Sequence, residues 1–382
     1  MSAPVLSSRA RPDLSRLEAR DIPATLAVFN TSVLTVVGDG AANAITVAAD
    51  PAGNLTVTDN GTPVFIRTTF GAATKTALVT VNVDGRGGDD TIVLDRSLNV
   101  LDANGKLLAA PGGVLSGGAG NDTIRAFTGG FLGGLVGNPI VGNLVMDGGA
   151  GNDFLDSGFG NDVMLGGPGD DTLRWLPGTL IDTFDGGGGN DTAVIVGNAN
   201  NQGDAFVLSA NGPGRALFQR TNLVPFFIDL VGIENVVMQT QSGDDTITIN
   251  DLTGTGIRHV TADGGDGNDV IDGSATGVSL LLTGGAGNDT LIGGRGDTVL
   301  DGGDGNDILR GGPGTDVLIG GAGDDTLDGG GARKGKPDIL IGGSGVDTFL
   351  RRQRKSPPMF PQFDDVVTDF NAAEGDTIRV VA

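Results

Sequence analysis

The most regular hydrophobic pattern in the chain is a nine-residue phrase that recurs between Gly284 and Leu350. In most copies the first, second and fourth places are glycine and the sixth place is Asp. Each copy ends in a run of residues such as Thr, Val, Ile or Leu. That run suits a three-residue strand whose eighth residue faces a core, as at Leu291 and Leu309. A short fixed period predicts a solenoid, in which each unit buries its apolar side chain by stacking on its neighbours.

Two other segments alternate like ordinary strands. Residues 25–94 contain the runs TSVLTVV, NAITVAA and NLTVTDN, and the DPAGN sequence between two of these runs predicts a hairpin turn. Residues 194–249 repeat these features in the same order: AITV at Ala44 corresponds to AFVL at Ala205, and GDDTI occurs at Gly88 and Gly243. The offsets between matching positions lie between 155 and 162 residues. We interpret them as an internal duplication, the alternative being accidental similarity between two β-rich linkers.

These patterns predict an all-β protein built of two modules, each a β-rich stretch followed by a nonapeptide block. The predicted boundaries are a leader at 1–24, a first module at 25–193 (β-rich 25–94, nonapeptides 117–194), a second module at 194–350 (β-rich 194–249, nonapeptides 264–350), and a C-terminal cap at 351–382.

The nonapeptide also predicts a chemistry. We expect its glycines to allow positive φ and to leave no Cβ that would block a tightly curved turn, so that the backbone carbonyls point inward together. The Asp at the sixth place adds a carboxylate, and an all-oxygen set of hard ligands favours calcium over zinc or copper. The predicted ligands are the sixth-place carboxylates Asp122, Asp153, Asp162, Asp171, Asp191, Asp269, Asp289, Asp307, Asp316, Asp325 and Asp347. Four degenerate turns remain open, at Asp90, Asp245, Thr298 and Asp338.

Composition agrees with this interpretation. The 382 residues include 69 glycines, no Cys, and 47 acidic against 24 basic side chains, for a net charge of −23. Such a charge argues against nucleic acid or an anionic membrane as a partner, and it opposes a compact metal-free state. Filling about eight calcium sites at tenfold over their Kd would add about 11 kcal/mol, which is comparable with the whole stability of a domain. No apolar run is long enough to span a membrane.

The phrase GGxGxDxUx, written for example as GGAGNDTLI from Gly284, resembles the calcium-binding nonapeptide of the RTX (repeats-in-toxin) family of secreted bacterial proteins. The resemblance implies a right-handed parallel β-roll in which two nonapeptides form one coil and calcium ions lie between turns eighteen residues apart. It therefore pairs Asp289 with Asp307, and Asp307 with Asp325, along one edge of the roll. On the other edge it places Thr298 beneath Asp316, where the missing carboxylate weakens a site.

Both ends of the chain carry shorter resemblances. The segment FDDVVTDFNAAEGDTIRVV, which starts at Phe363, resembles the C-terminal phrase that caps the roll in many RTX proteins and belongs to the region read by a type I export channel. SRLEARDIPA, which starts at Ser15, resembles a short motif that precedes many exported bacterial repeat proteins, and a disordered tail is the alternative. These resemblances imply an extracellular or cell-surface location.

Three better-known glycine-rich or acidic motifs fit the repeated run less well. A P-loop needs GxxxxGK[ST], a dinucleotide-binding fold needs a GxGxxG that opens a helix, and an EF-hand needs Asp at alternate positions with a Glu at the twelfth. The chain has one His, His259, and neither HExxH nor a GxSxG elbow, so no catalytic motif is found.

We therefore expect a calcium-dependent rod with a structural or adhesive role. Its expected partner is a cell surface or a glycan, and we expect no insertion into a membrane. The alternatives are an extracellular polysaccharide-acting enzyme carried on the same scaffold and an RTX toxin. For a toxin the chain lacks long apolar segments.

Overall fold

The computed structural model describes residues 25–69, 72–101, 107–128, 140–157, 160–175, 181–197, 202–222, 225–331, 337–352 and 365–381. These residues form strands and one short 3₁₀ helix, Arg96–Leu98. The strands are β1 (Leu26–Asn30), β2 (Val33–Val37), β3 (Ala44–Ala49), β4 (Leu55–Asp59), β5 (Thr62–Val64), β6 (Ile66–Thr68), β7 (Thr80–Gly87), β8 (Thr91–Asp95), β9 (Val100–Leu101), β10 (Leu107–Ala110), β11 (Gly112–Ala119), β12 (Thr123–Thr128), β13 (Ile140–Val141), β14 (Leu144–Ala150), β15 (Phe154–Asp156), β16 (Val163–Pro168), β17 (Thr172–Trp175), β18 (Ile181–Gly188), β19 (Thr192–Val196), β20 (Ala205–Ala210), β21 (Arg215–Arg220), β22 (Phe226–Val231), β23 (Asn235–Gln239), β24 (Thr246–Ile249), β25 (His259–Asp266), β26 (Val270–Asp272), β27 (Ser279–Ala286), β28 (Thr290–Ile292), β29 (Thr298–Asp304), β30 (Ile308–Gly312), β31 (Val317–Ala322), β32 (Thr326–Gly330), β33 (Ile339–Ser344), β34 (Thr348–Arg352), β35 (Val366–Val367) and β36 (Thr377–Val381).

Two long, mostly parallel sheets build the molecule, and from β7 onward the chain passes back and forth between them. Sheet I has 18 strands and sheet II has 15, while β9, β10 and β13 form a separate three-stranded sheet. Sheet I contains β1, β2, β6, β7, β11, β14, β16, β18, β20, β21, β22, β24, β26, β28, β30, β32, β34 and β36. Sheet II contains β3, β4, β5, β8, β12, β15, β17, β19, β23, β25, β27, β29, β31, β33 and β35. The predicted all-β parallel roll is confirmed.

The core lies between the sheets and is filled mainly by the eighth residue of each repeat. Leu291, Leu309, Leu318 and Leu327 are fully buried, as their place in the phrase predicts. Many strands are longer than the three residues expected, because pairing continues into the glycines of the next repeat, as between Gly285 of β27 and Gly303 of β29. Parallel strands gain hydrogen bonds along this whole length. Only the three residues 287–289 then separate β27 from β28.

The two β-rich segments share one pattern of strand pairing. β3 and β4 form an antiparallel hairpin around the DPAGN turn, and β20 and β21 form another. The first strand of each hairpin then pairs in parallel, Ala44 with Thr91 of β8 and Ala205 with Thr246 of β24. The matching registers support the predicted duplication. However, the first hairpin belongs to sheet II and the second to sheet I, so the copies are half a coil out of phase.

The second hairpin lengthens only one sheet. Sheet I runs β18–β22–β21–β20–β24, whereas sheet II passes from β19 to β23 and then to β25 with no added strand. Aromatic side chains fill the space behind this insertion. Trp175 stacks on Phe226 with ring centroids 4.1 Å apart, and Phe218 lies 4.9 Å from Phe206 and 5.9 Å from Phe226.

The described C-terminal residues add one more coil to the roll. β35 pairs with β33, and β36 pairs with β34. Ile378 and Val380 of β36 remain 40% and 56% exposed, so this strand forms an open edge in the described part of the chain. The leader at 1–24 and residues 353–364 of the predicted cap, which include the first two residues of the C-terminal phrase, lie outside the described residues.

Candidate calcium sites

Sixth-place side chains of successive turns are linked by hydrogen bonds. The backbone N–H of Asp289 donates to Oδ1 of Asp307 at 2.8 Å, and the N–H of Asp307 donates to Oδ1 of Asp325 at 2.8 Å. The predicted pairing along this edge is therefore present in the geometry. Each of the three carboxylates is about 1% exposed. We call such a series an acidic ladder, because each carboxylate accepts from the turn before it.

Acidic ladders lie on both edges of the roll. On the edge that leads into sheet II, two series follow this pattern: Asn43, Asp90, Asp122, Asp153, Asp171, Asp191 and Glu234, and then Thr298, Asp316 and Asp338. On the edge that leads into sheet I, the series are Leu144, Asp162 and Asp182, and then Asp204, Asp245, Asp269, Asp289, Asp307, Asp325, Asp347 and Asp376.

All eleven predicted ligands thus occupy ladder positions, and so do the four turns that the sequence left open. Thr298 donates its N–H to Asp316 Oδ1 at 2.9 Å but adds no carboxylate of its own. Asp338 accepts from Asp316 at 2.9 Å, across the interrupted repeat. Asp171 donates to Asp191 at 2.8 Å, as expected if the spacer between them leaves the coil, although residues 176–180 of that spacer lie outside the described part.

Sequence reasoning missed several members of the ladders. Asp182, Asp204, Glu234 and Asp376 lie in no recognisable nonapeptide, yet their carboxylates accept a backbone N–H or form an ion pair at the same edges. A signal for Asp182 was present, because it follows Asp162 by 20 residues, the same spacing as Asp171 to Asp191. In the predicted duplication Asp204 aligns with Asn43 but carries a charge where Asn43 does not.

The second oxygen of these carboxylates is the feature that points to a cation. In the described structure, Oδ2 is buried and has no hydrogen-bond partner in Asp90, Asp122, Asp153, Asp171, Asp191, Asp269, Asp289, Asp307 and Asp325. Native proteins rarely leave so many buried polar atoms unsatisfied. Burial, together with neighbouring carboxylates, raises the pKa of Asp289 to about 6 and the pKa of Asp269 and Asp325 to about 7.

First-place glycines form a cradle beside each carboxylate. A Cβ on Gly302 would lie 2.3 Å from Oδ2 of Asp307 and 2.5 Å from the carbonyl oxygen of Gly320 in the next turn. The expectation of positive φ at this place is wrong, since only the second and fourth glycines, such as Gly303 and Gly305, have it. The first glycine is required for space, because any side chain there would displace the two oxygens.

A second ladder of side chains runs beside the acidic one and was also missed. The fifth-place Asn or Asp of each turn accepts a hydrogen bond from the following turn, as when Asn306 N–H donates to Asn288 Oδ1 at 2.8 Å. The same bond joins Asn152 to Asn121 and Asn190 to Asp170. These side chains are exposed, so this fifth-place ladder fixes the turn from the solvent side without adding a buried charge.

The donor set available to a metal ion combines carboxylates with backbone carbonyls. No group of three or more His, Cys, Asp or Glu side chains converges on one point anywhere in the described residues. A cation at these turns would therefore take a carboxylate oxygen from the ladder together with carbonyl oxygens such as that of Gly320. Such an oxygen set suits calcium, which accepts six to eight oxygens in flexible geometry.

The family model of the RTX calcium-binding nonapeptide repeat (4 copies) matches residues 113–129, 145–173, 178–193, 260–275, 281–300 and 301–332. The chain is an RTX-type calcium-binding protein. A search of curated proteins found no match.

The RTX segments coincide closely with the acidic ladders. They contain every predicted ligand except Asp347, and they also contain Asp182. Asp90, Asp245 and Asp338 lie outside them, although these residues occupy the same hydrogen-bonded position in the structure. RTX repeats bind calcium at multiple sites, and the ladders are where the buried unsatisfied oxygens of this chain accumulate.

Proposed function

We propose that this RTX protein is an extracellular rod that folds when it binds calcium and serves a structural or adhesive role at a surface. The observation that carries the proposal is the set of buried ladder carboxylates whose second oxygens have no hydrogen-bond partner in the described structure. Stacked anionic turns would repel one another in the absence of a cation, and a divalent ion between two turns removes that penalty.

Each ladder carboxylate has a defined task in this proposal. Oδ1 is held by a backbone N–H of the preceding turn, as between Asp269 and Asp289 at 2.8 Å, so the side chain cannot rotate away. Oδ2 remains for the ion. Calcium supplies two positive charges and several coordination positions between adjacent turns, and the first-place glycines leave room for the oxygens beside it.

An extracellular location suits this dependence on calcium, because calcium modules that work outside the cell bind at about 10⁻⁴ to 10⁻³ M. A chain exported unfolded would then form its calcium-binding turns only on reaching that calcium. Among the residues that the structure describes, no helix is long and apolar enough to cross a membrane.

Calcium titration into metal-free protein tests the proposal, with far-UV circular dichroism reporting strand content. We expect a cooperative gain of strand signal with calcium and none with magnesium. A chain that is fully folded in chelator and indifferent to calcium would overturn it. The adhesive role is tested separately, by binding to cell surfaces and a glycan panel with and without chelator. Hydrolysis or elimination on such a panel would instead favour the enzyme alternative.

A further inference from the structure

One carboxylate in the ladders already has a cation of the protein's own. Asp204 begins the long acidic ladder that leads into sheet I, where its N–H donates to Oδ1 of Asp245. Its carboxylate pairs with Arg220 of β21, with Nη2 and Oδ1 2.6 Å apart and side-chain exposures of 7% and 0%. In the other two ion pairs of the described residues the arginine is at least one-third exposed.

The surroundings of Asp204 are those of the other turns. Gly197 precedes it as a first-place glycine, and a Cβ there would lie 2.6 Å from Oδ2 of Asp204 and 2.8 Å from the carbonyl oxygen of Thr240. The same two kinds of oxygen flank Gly302 in the regular turn of Asp307. Gly197 and Thr240 therefore flank the carboxylate of Asp204 as Gly302 and Gly320 flank that of Asp307, but the negative charge of Asp204 is matched by a guanidinium group.

The duplicated hairpin provides an internal comparison. Asn43 of the first copy occupies the place of Asp204, since its N–H donates to Asp90 Oδ1 at 2.7 Å. Asp59 occupies the place of Arg220, because Ile45 pairs with Asp59 as Phe206 pairs with Arg220. The first copy thus starts its ladder with a neutral amide. The second starts with a carboxylate and places a cation opposite it.

We propose that Arg220 supplies to the Asp204 turn the positive charge that calcium supplies to later turns, so that no calcium ion binds between Asp204 and Asp245. This inference rests on the proposed calcium-dependent folding. A guanidinium stays protonated at any physiological pH and is covalently present from synthesis. The hairpin of β20, β21 and β22 therefore packs before calcium arrives and offers its edge to β24 as the first template for the metal-dependent turns.

The packing of Trp175 against Phe226 reports on the packing of this hairpin. Arg220 pairs in register with Phe226, and Phe226 stacks on Trp175, the single tryptophan of the chain. Acrylamide quenching of Trp175 in chelator measures whether the hairpin is packed without metal, and calorimetric titration with calcium chloride counts the ions bound. The matched control is Arg215→Gln, on the same strand, whose ion pair with Asp229 has an arginine 49% exposed.

We expect wild type and Arg215→Gln to keep Trp175 protected in chelator. Arg220→Met should shift the packing equilibrium in chelator by about 100-fold or more, because it leaves a buried charge without a partner. In calcium the same variant should bind one additional ion. The double variant Asp204→Asn with Arg220→Met copies the neutral start of the first hairpin, so it should recover protection and bind the wild-type number of ions.

Two results would overturn the inference. A double variant that binds one ion fewer than wild type would show that Asp204 is a calcium ligand, and an Arg220→Met variant that matches Arg215→Gln in both readouts would show that the ion pair replaces nothing. If Arg220→Met does not fold, the double variant alone still decides. A wild type that binds no calcium would instead reject the proposed function itself.

Discussion

Asp307 donates its backbone N–H to Oδ1 of Asp325 at 2.8 Å, while Asp324, one residue earlier in the later turn, donates its N–H to Oδ1 of Asn306 at 2.7 Å. The same two turns are therefore joined by adjacent hydrogen bonds that run in opposite directions. The buried bond fixes a charged side chain and the exposed bond fixes a polar one, so the spacing of the turns is fixed from both sides.

Replacing Asp307 with Asn should have opposite effects with and without calcium. The amide oxygen still accepts the N–H of Asp289, and its nitrogen can donate towards the carbonyl of Gly320, which lies beside the same cradle. In chelator the folding equilibrium should shift towards the folded state, since burial raises the pKa of Asp307 and so disfavours its charge. In calcium at tenfold over Kd, stability should fall by about 1.4 kcal/mol through loss of one site.

Denaturant unfolding in calcium and the far-UV strand signal in chelator measure the effect of Asp307→Asn. Asp304→Asn, at an exposed position of the same repeat, is the control; it should leave the strand signal in chelator unchanged and alter stability in calcium by no more than about 0.5 kcal/mol. A loss of strand signal in chelator together with a loss of stability in calcium would contradict the view that the carboxylate is held for a cation.

Removing the fifth-place amide should weaken the turn without removing an ion. Asn306→Ala takes away the acceptor for Asp324 N–H, which should cost about 0.5–1.5 kcal/mol. Asn306→Asp keeps an acceptor, as Asp170 does at the equivalent place, and should be milder. Calorimetric titration should count as many calcium ions in both variants as in wild type. Loss of an ion in Asn306→Ala would assign the fifth place to the metal site.

Replacing either of two glycines of one repeat with alanine should have very different effects on stability. A Cβ on Gly186 would lie 2.4 Å from the carbonyl oxygen of Gly232 and 2.6 Å from Oδ2 of Asp191. Gly188 has nothing within 4 Å and no positive φ. Gly186→Ala should therefore destabilise the calcium-loaded protein by about 1–3 kcal/mol, whereas Gly188→Ala should be near neutral. Equal melting temperatures for the two variants would rule out the cradle.

The metal-free protein should lose stability as the pH rises. Burial raises the pKa of Asp289 to about 6 and of Asp269 and Asp325 to about 7, so the folded chain binds protons more tightly than the unfolded chain. This contribution is fully present below about pH 4, where both states are protonated, and is lost as the pH rises through the folded values. The far-UV strand signal of calcium-stripped protein between pH 4 and 8 measures it. A flat profile would mean that these carboxylates are not buried as described.

The sequence predicted the repeat, the parallel roll and the positions of the sixth-place carboxylates because each depends on a local phrase on which most copies agree. It did not predict the hydrogen bond that the N–H of Asp191 donates to Glu234 at 2.9 Å, because the two residues are 43 positions apart and no phrase connects them. For the first-place glycine the expected need for space is observed and the expected positive φ is not. Sequence shows that a side chain is absent there but not which neighbour requires the space.

The insertion of β20 and β21 lengthens one sheet of the roll and not the other. Two extra strands extend sheet I by about 10 Å at a spacing of about 4.8 Å, while sheet II continues without them. We expect the axis to bend towards sheet II at this point, so that a fixed elbow interrupts the rod. Ligands held at equivalent positions on the two arms would face different ways.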